Sequence, residues 1–139
     1  MKLAFIIPNM KGGGAEKVIV KLLNYIAKSQ NGYDIDLLLV KKEGLLLDEL
    51  NKNIKIFDFN KNHVKNSLLN IINYLRIQKP DYFISSLDYM NLISSLAYKI
   101  SNSKSNFLIW EHNNLSIHSK KTISNSLFLN KILIKVFYS

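Results

Sequence analysis

Short apolar segments alternate along the chain with longer stretches in which apolar residues recur every three or four positions. The short segments are typical of strands, and they cover residues 3–7, 33–40, 53–59, 82–86 and 107–110. The longer stretches have the period of amphipathic helices, and they cover residues 15–28, 89–100, 123–137 and the span from residue 68 to the Lys79-Pro80 pair. One short helical turn is expected at residues 45–50.

The alternation of strands and helices favours one fold class. Strand–helix–strand units build parallel sheets with right-handed crossovers, so we expect an α/β, Rossmann-like, mostly parallel sheet with helices on both faces. Residues 3–7 and 37–40 are apolar without interruption, which is typical of strands buried on both faces. The first strand is therefore expected at the centre of the sheet. The alternating pattern of residues 53–59 favours a position near the sheet edge.

The loop after the first strand holds three consecutive glycines, Gly12, Gly13 and Gly14, directly before the first helix. Ligands of open α/β sheets bind at the carboxyl ends of the strands, where this loop lies together with the loops at 85–91 and 111–118. A glycine turn at a helix N-terminus presents free N–H groups and the positive end of the helix dipole. It therefore predicts a site for a phosphate or another anionic oxygen. The alternative is that the glycines serve only the tight turn.

Two nucleotide-binding motifs do not fit this glycine loop. A dinucleotide fingerprint requires a third glycine where Lys17 stands, and an acid at the end of the second strand, where Lys41 and Lys42 stand. A P-loop requires Gly-Lys-Ser/Thr, and Ala15-Glu16-Lys17 does not supply it. The loop thus predicts an anion-friendly turn but does not identify the ligand.

The loop after the fifth strand carries residues suited to acid–base chemistry. Glu111, His112 and Asn113 follow that strand directly, and the ordinary pKa of histidine lies near neutrality. We interpret His112 as a candidate general base and Glu111 as the group that orients or tunes it. The alternative is that His112 is a structural histidine that braces the neighbouring backbone.

Composition excludes several kinds of site. The chain has 139 residues, 47% of them hydrophobic, which is the size and apolar content of one domain. It has no cysteine, and its three histidines lack the helical spacing of a zinc pair, so we expect neither a disulfide nor a metal site. No apolar run approaches the roughly 18–20 residues that cross a bilayer. Pro8 interrupts the first apolar run too early for a signal peptide, and a cytoplasmic protein is expected.

The net charge of the chain is +9. One interpretation is attraction to an acidic membrane surface or to a phosphorylated substrate, and the other is a lysine-rich composition without a partner. Nucleic acid is not expected as a partner, because no helix-turn-helix, RNP-like or zinc-finger pattern accompanies the charge.

Residues 6–28, IIPNMKGGGAEKVIVKLLNYIAK, resemble the start of family 4 glycosyltransferases, which open with a strand, a G-G-G-A-E loop and an amphipathic helix. The segment Trp110-Glu111-His112 also resembles a W-E-H segment that many members carry near the acceptor side of the cleft. The resemblance implies the amino-terminal half of a GT-B fold. It further implies that the glycine loop approaches the diphosphate of a sugar nucleotide and the acceptor.

With the resemblance, the candidate residues take roles in sugar transfer. The catalytic candidates are His112 and Glu111, and no metal is expected. Substrate or phosphate binding is assigned to Gly12, Gly13, Gly14, Glu16, Ser86 and Asn113. Ser85 and Asp88 are further candidates for binding sugar hydroxyls, with capping of the next helix as the alternative for these two residues and for Ser86.

The resemblance covers essentially residues 1–139 but only the first half of the family's protein. The donor-binding domain of that family carries a motif of two glutamates separated by seven residues, and no two glutamates here have that spacing. We therefore expect a truncated or split acceptor-side domain that is inactive without its second domain.

The activity implied by the resemblance is transfer of a sugar, with retention, from a sugar nucleotide to a lipid-linked or cell-surface glycan acceptor, without a further cofactor. The alternatives are a non-catalytic, flavodoxin-like binding module and an inactive remnant. A receiver-like module is disfavoured because Pro8-Asn9-Met10-Lys11 holds no acid.

Overall fold

The computed structural model describes residues 1–29 and 32–111. The strands of this part are β1 (Lys2–Ile7), β2 (Asp34–Leu39), β3 (Lys55–Asp58), β4 (Tyr82–Ser86) and β5 (Asn106–Trp110). Its α-helices are α1 (Gly14–Lys28), α2 (Leu68–Gln78) and α3 (Asp88–Ser101), and 3-10 turns lie at Leu45–Glu49 and Val64–Ser67. All five predicted strands are confirmed to within about two residues at their ends. The helix predicted at 123–137 lies outside the described residues.

The five strands form one parallel sheet in the order β3-β2-β1-β4-β5. The first strand is central, as its uninterrupted apolar sequence predicts, and β3 is at an edge. In register, Phe5 of β1 lies between Leu37 of β2 and Ile84 of β4. The fold class predicted from the sequence is thereby confirmed.

Helices cover both faces of the sheet. Alternate residues of β1 divide between them: Phe5 packs into the core beneath α1, and Ile6 into the core beneath α2 and α3. The α1 face is filled from the helix by Ile19, Val20 and Leu23, all almost fully buried. Because β1 lies against a core on each side, neither face of the central strand can accept a polar residue without cost.

One carboxylate is nevertheless buried inside the sheet. Asp36 of β2 has no exposed surface, and the Tyr74 hydroxyl of α2 donates a hydrogen bond of 2.6 Å to its Oδ2. Lys2 Nζ lies 3.9 Å from the same oxygen, while Oδ1 has no hydrogen-bond partner. Burial raises the pKa of Tyr74, and the hydrogen bond to Asp36 adds to it. The tyrosine therefore stays a neutral donor to a higher pH than an exposed tyrosine does.

Not every apolar residue at helical spacing lies in the core. Val18 of α1 and Leu96 and Ile100 of α3 are nearly half exposed. The apolar face of each of these two helices is therefore wider than the part that packs against the sheet. Within the described ranges, no helix is both long and apolar enough to span a membrane.

Candidate functional site

Three chain segments meet at the carboxyl edge of the sheet, because β1, β4 and β5 are adjacent and parallel. The glycine loop follows β1, the turn at Leu87 follows β4, and Glu111 follows β5. Ser86 and Trp110 are paired in register at the ends of β4 and β5. This edge is the candidate site. The glycine loop lies on it, the predicted loop at 85–91 is reduced to a one-residue turn between β4 and α3, and residues 112–118 of the third predicted loop lie outside the described residues.

The glycine loop turns at Gly12, whose φ of +114° favours glycine over any other residue. Gly13 is the N-cap of α1 and Gly14 its first residue, and no side chain caps this helix end. A Cβ at Gly14 would meet no atom within 4 Å. The loop thus requires glycine at position 12 because of the positive φ there. At position 14 the described structure has room for a side chain.

Glu16 lies against Gly13 at the same helix end. A Cβ on Gly13 would overlap Oε2 of Glu16 and lie 3.1 Å from its Cδ. A carboxylate in the first turn interacts favourably with the helix dipole, so Glu16 already places negative charge beside the free N–H groups. A phosphate that approaches this loop therefore meets the Glu16 carboxylate, which must move aside or form a hydrogen bond to a neutral part of the same ligand.

The first half of the loop is held in place by the segment that follows β2. Met10 N donates to Glu43 O over 2.9 Å, and Leu46 N donates to Met10 O over 3.1 Å. Met10 itself has no exposed surface. The backbone of Gly44 packs so closely that a Cβ there would overlap the carbonyl group of Met10 and lie 2.5 Å from Lys11 N. These contacts fix the base of the glycine loop, and within residues 1–29 and 32–111 no comparable contact holds residues 12–14.

An ion pair reinforces this attachment at the surface. Lys11 Nζ lies 3.0 Å from Oε1 of Glu43, and Lys41 Nζ lies 3.7 Å from Oε2. The hydrogen bond from Lys11 lowers the pKa of Glu43, with the charges of Lys11 and Lys41 adding to the effect. Sequence reasoning missed Glu43 and Gly44 as supports of the loop, since their roles depend on residues more than thirty positions away. The signal was a glycine four residues after the last apolar residue of the second strand, Val40.

The turn between β4 and α3 has an unusual backbone. Leu87 is the N-cap of α3 with φ of +80° and ψ of 136°, a conformation that side-chain-bearing residues rarely adopt. None of Ser85, Ser86 and Asp88 is the N-cap residue, so the capping alternative is not confirmed. Ser85 instead donates a hydrogen bond of 3.0 Å to Ser94 inside the core, which removes its hydroxyl from the candidate site.

Glu111 continues β5 at the same edge as Asp88. Partial burial of its carboxyl group raises the pKa of Glu111, and the negative charge of Asp88 adds to the effect. Glu111 therefore holds a proton to a higher pH than an ordinary glutamate does, the direction that suits proton transfer near neutrality. His112 and Asn113 lie outside the described residues, so their predicted roles stay predictions.

Among residues 1–29 and 32–111, no group of three His, Cys, Asp or Glu side chains could hold a metal ion. A cavity of about 370 Å³ lies at the opposite edge of the sheet, lined by Ala27, Ser29, Gly32, Tyr33, Asp34, Ile35 and Asn53. It borders the amino end of β2, far from the loops that hold the candidate residues, and plays no part in this site.

The described fold is similar to a solved structure, the lipopolysaccharide outer core galactosyltransferase WaaB in its apo form, with a TM-score of 0.62 and 22% sequence identity. The similarity covers 84% of this chain and 34% of that protein, so the chain spans about a third of its length. No protein-family model matches the chain, and no curated protein matches it. At this level of identity the likeness shows the fold, a parallel α/β sheet like that of one half of a GT-B glycosyltransferase.

Proposed function

We propose that this chain is the acceptor-side, Rossmann-like half of a GT-B glycosyltransferase that uses a sugar nucleotide as donor. The observation that carries the proposal is the glycine loop: residues 12–14 open α1 at the carboxyl end of the central strand. The similarity of the surrounding sheet to part of a galactosyltransferase structure supports it. The resemblance of residues 6–28 to family 4 enzymes supports the finer assignment to a retaining transferase of that type.

In this proposal the described residues bind and orient the substrates. The N–H groups of Gly13 and Gly14 face the diphosphate or the acceptor, since helix α1 directs its positive end to that point. Glu111, with its raised pKa, exchanges a proton with His112 or with an acceptor hydroxyl. Ser86 and Asn113 complete the polar lining. The donor nucleotide is held by a second domain, and no metal ion takes part.

The acceptor is proposed to be a lipid-linked or cell-surface glycan at the inner face of a membrane. The net charge of +9 supports this location, because lysines near an anionic surface are attracted to it. The protein would then act in the cytoplasm and contact the membrane only peripherally.

The test replaces Gly14 with alanine in the complete enzyme, meaning this chain together with a donor-binding domain. A Cβ there meets no atom of the described structure, so the melting temperature should not fall. Since effective catalysis needs the reactants within ~3–3.5 Å of each other, a methyl group between loop and ligand should lower kcat/KM by about tenfold or more, which corresponds to ~1.4 kcal/mol.

Lys21→Ala, on the exposed side of α1, is the matched control and should leave kcat/KM unchanged. Full transfer activity in Gly14→Ala would show that no ligand approaches the loop. Steady turnover by residues 1–139 alone, lost on His112→Ala, would show that the donor site does not need a second domain.

A further inference from the structure

The outward side of helices α2 and α3 exposes large aliphatic side chains. Leu69 and Ile77 of α2 are 71% and 74% exposed. Leu96 and Ile100 of α3 are nearly half exposed. The hydrophobic core beneath the two helices is built from other residues of the same helices, so folding does not require these four. Single exposed apolar residues are ordinary, but several on one surface indicate an interaction site.

The exposed sides of the two helices form one continuous surface. Positions 69, 73, 76 and 77 of α2 are exposed at helical spacing, as are positions 96, 99 and 100 of α3. The helices pack against each other, and Arg76 Nη2 of α2 donates a hydrogen bond of 3.3 Å to Ile100 O of α3. We define the α2/α3 face by Leu69, Arg76, Ile77, Leu96, Lys99 and Ile100.

The part of the chain that carries this face is positively charged. Residues 60–111 hold six lysine or arginine side chains and three acids, whereas residues 1–59 hold nine lysines and seven acids. Among residues 1–29 and 32–111, neither Arg76 nor Lys99 belongs to an ion pair. The one acid of the two helices is Asp88, which opens α3, where the helix dipole stabilises it. The α2/α3 face therefore presents aliphatic side chains together with net positive charge.

Charge discriminates between the candidate occupants of the α2/α3 face. A second copy of the chain, docked by the same face across a twofold axis, would bring Arg76 and Lys99 against their own counterparts. Like charges juxtaposed at an interface oppose association. Residues 112–139 contain four lysines and no acid, so they offer no complementary charge either. An anionic occupant is the one that this face matches.

The composition of the face favours a lipid surface over an acidic protein. Protein interfaces are enriched in aromatic residues and depleted in lysine, and leucine is under-represented among their hot spots. Leucine and isoleucine beside lysine and arginine are instead typical of helices that lie on a membrane. There the apolar groups enter the boundary between headgroups and acyl chains, and the cations contact anionic headgroups.

We propose that the α2/α3 face docks this chain onto a membrane that contains anionic lipid. The aliphatic side chains of the face enter the headgroup boundary, and Arg76 and Lys99 contact lipid phosphates. Helix α3 begins directly after β4, at the carboxyl edge of the sheet, so docking along this helix brings the candidate site close to the bilayer. The purpose of the contact, access to a membrane-embedded acceptor, rests on the proposed function, whereas the contact itself does not.

The first experiment measures co-sedimentation of residues 1–139 with vesicles of phosphatidylglycerol and phosphatidylcholine in equal parts, at low salt. Leu69→Gln combined with Ile77→Gln should weaken binding about tenfold or more, since two exposed aliphatic groups no longer enter the membrane. The matched control combines Leu45→Gln with Val18→Gln, which are exposed on the 3-10 turn and the helix of the α1 layer. This control should bind as the parent does.

The second pair of variants tests the charge. Arg76→Gln combined with Lys99→Gln should weaken the same binding about 30-fold, because each cation near an anionic surface contributes roughly a fivefold gain. Lys21→Gln combined with Lys28→Gln, at two exposed positions of α1, lowers the net charge equally and should bind nearly as the parent does. Vesicles of phosphatidylcholine alone should bind the parent much more weakly than the anionic vesicles.

A fluorescent label locates the contact directly. The chain has no cysteine, so Ile77→Cys and Tyr25→Cys each accept one environment-sensitive label. The two positions are 74% and 76% exposed and lie on helices that cover opposite faces of the sheet. On addition of the anionic vesicles, the emission of the label at position 77 should shift to shorter wavelength, and that of the label at position 25 should stay unchanged.

Four results would overturn the proposal. The parent does not bind the anionic vesicles at low salt; the α1-layer variants lose as much binding as the variants of the α2/α3 face; or the label at position 25 responds as strongly as the label at position 77. The fourth is binding of the parent to heparin, a soluble polyanion, without binding to the vesicles.

Vesicle binding requires neither donor nor acceptor, so this proposal and the proposed function fail separately. A chain that does not bind vesicles, in a complete enzyme that transfers sugar to a water-soluble acceptor, would refute the α2/α3 face and leave the glycosyltransferase assignment intact. Vesicle binding that responds to the variants as expected, in a protein that transfers no sugar, would do the reverse.

Discussion

Replacing Gly44 with alanine places a methyl group where the structure has no room for one. The new Cβ would overlap the carbonyl group of Met10 and lie 2.5 Å from Lys11 N, whereas carbon atoms in contact need about 3.5 Å. The backbone at position 44 also has φ of +123° and ψ of 158°, a region that is essentially restricted to glycine. Both effects act on backbone atoms, which cannot rotate out of the way as a flexible side chain can.

The expected loss of stability combines two contributions. A residue with a side chain in this backbone region costs about 1–3 kcal/mol, and forcing a methyl group into a packed site costs about 1–3 kcal/mol more. Moving Met10 also weakens the hydrogen bonds that join it to Glu43 and Leu46, and each of these is worth about 1 kcal/mol. We therefore expect Gly44→Ala to lower the free energy of unfolding by roughly 3–6 kcal/mol, a large part of the stability of a small domain.

Two further glycines provide matched controls. Gly12→Ala meets a φ of +114° but open space, so it isolates the backbone cost of about 1–3 kcal/mol. Gly14→Ala meets open space in a helical backbone, and its stability should lie within about 1 kcal/mol of the parent, on the stabilising side.

The assay is urea unfolding of residues 1–139, followed by circular dichroism. Gly44→Ala should show the lowest midpoint and Gly14→Ala the highest. A midpoint for Gly44→Ala equal to that of Gly12→Ala would show that the close approach to Met10 contributes nothing. A midpoint equal to that of the parent would refute the reasoning altogether.

Three other changes test separate features. Tyr74→Phe should lower the free energy of unfolding by about 2 kcal/mol at neutral pH, because Asp36 loses its hydrogen bond. The pKa of Tyr74 is raised in the folded state. The extra stability of the parent is therefore fully present below the unfolded-state pKa of about 10 and is lost as the pH rises above it. Urea unfolding should show that the difference in unfolding free energy between the two proteins shrinks above pH 10, and a constant difference up to pH 11.5 would contradict this. Asp88→Asn should lower the pKa of Glu111 by removing the nearby negative charge, as measured by ¹³C NMR titration; an unchanged pKa would place Asp88 elsewhere. Binding to vesicles containing anionic lipid should weaken as salt rises, and an absence of binding at low salt would assign the charge of +9 to composition.

The central position of β1 could be predicted from the sequence because it follows from a local pattern. Residues 3–7 are apolar at every position, and only a central strand between two cores has that requirement. Asp36 could not be anticipated in the same way. Its burial is tolerated because Tyr74 donates to it from a helix 38 residues away, and that pairing exists only after α2 has packed on the sheet.

Within the candidate site, Gly12 was predictable because a turn into a helix favours positive φ at glycine. Leu87 was not, since nothing in a leucine indicates a φ of +80°. Gly44 is intermediate: its position after an apolar strand marks a turn, but its close contact with Met10 depends on how two loops pack. A glycine turn before a helix can thus be predicted from the sequence, whereas contacts between distant segments cannot.

The position of β1 at the centre of the sheet has a consequence for synthesis on the ribosome. Leu3 of β1 pairs with Tyr82 of β4, which lies 79 residues further along the chain, so one side of β1 stays unpaired until β4 emerges. At about 5–20 residues per second, this delay lasts roughly 4–16 s. During that interval an apolar strand with an open edge is exposed on the nascent chain, and such an edge favours association with other chains.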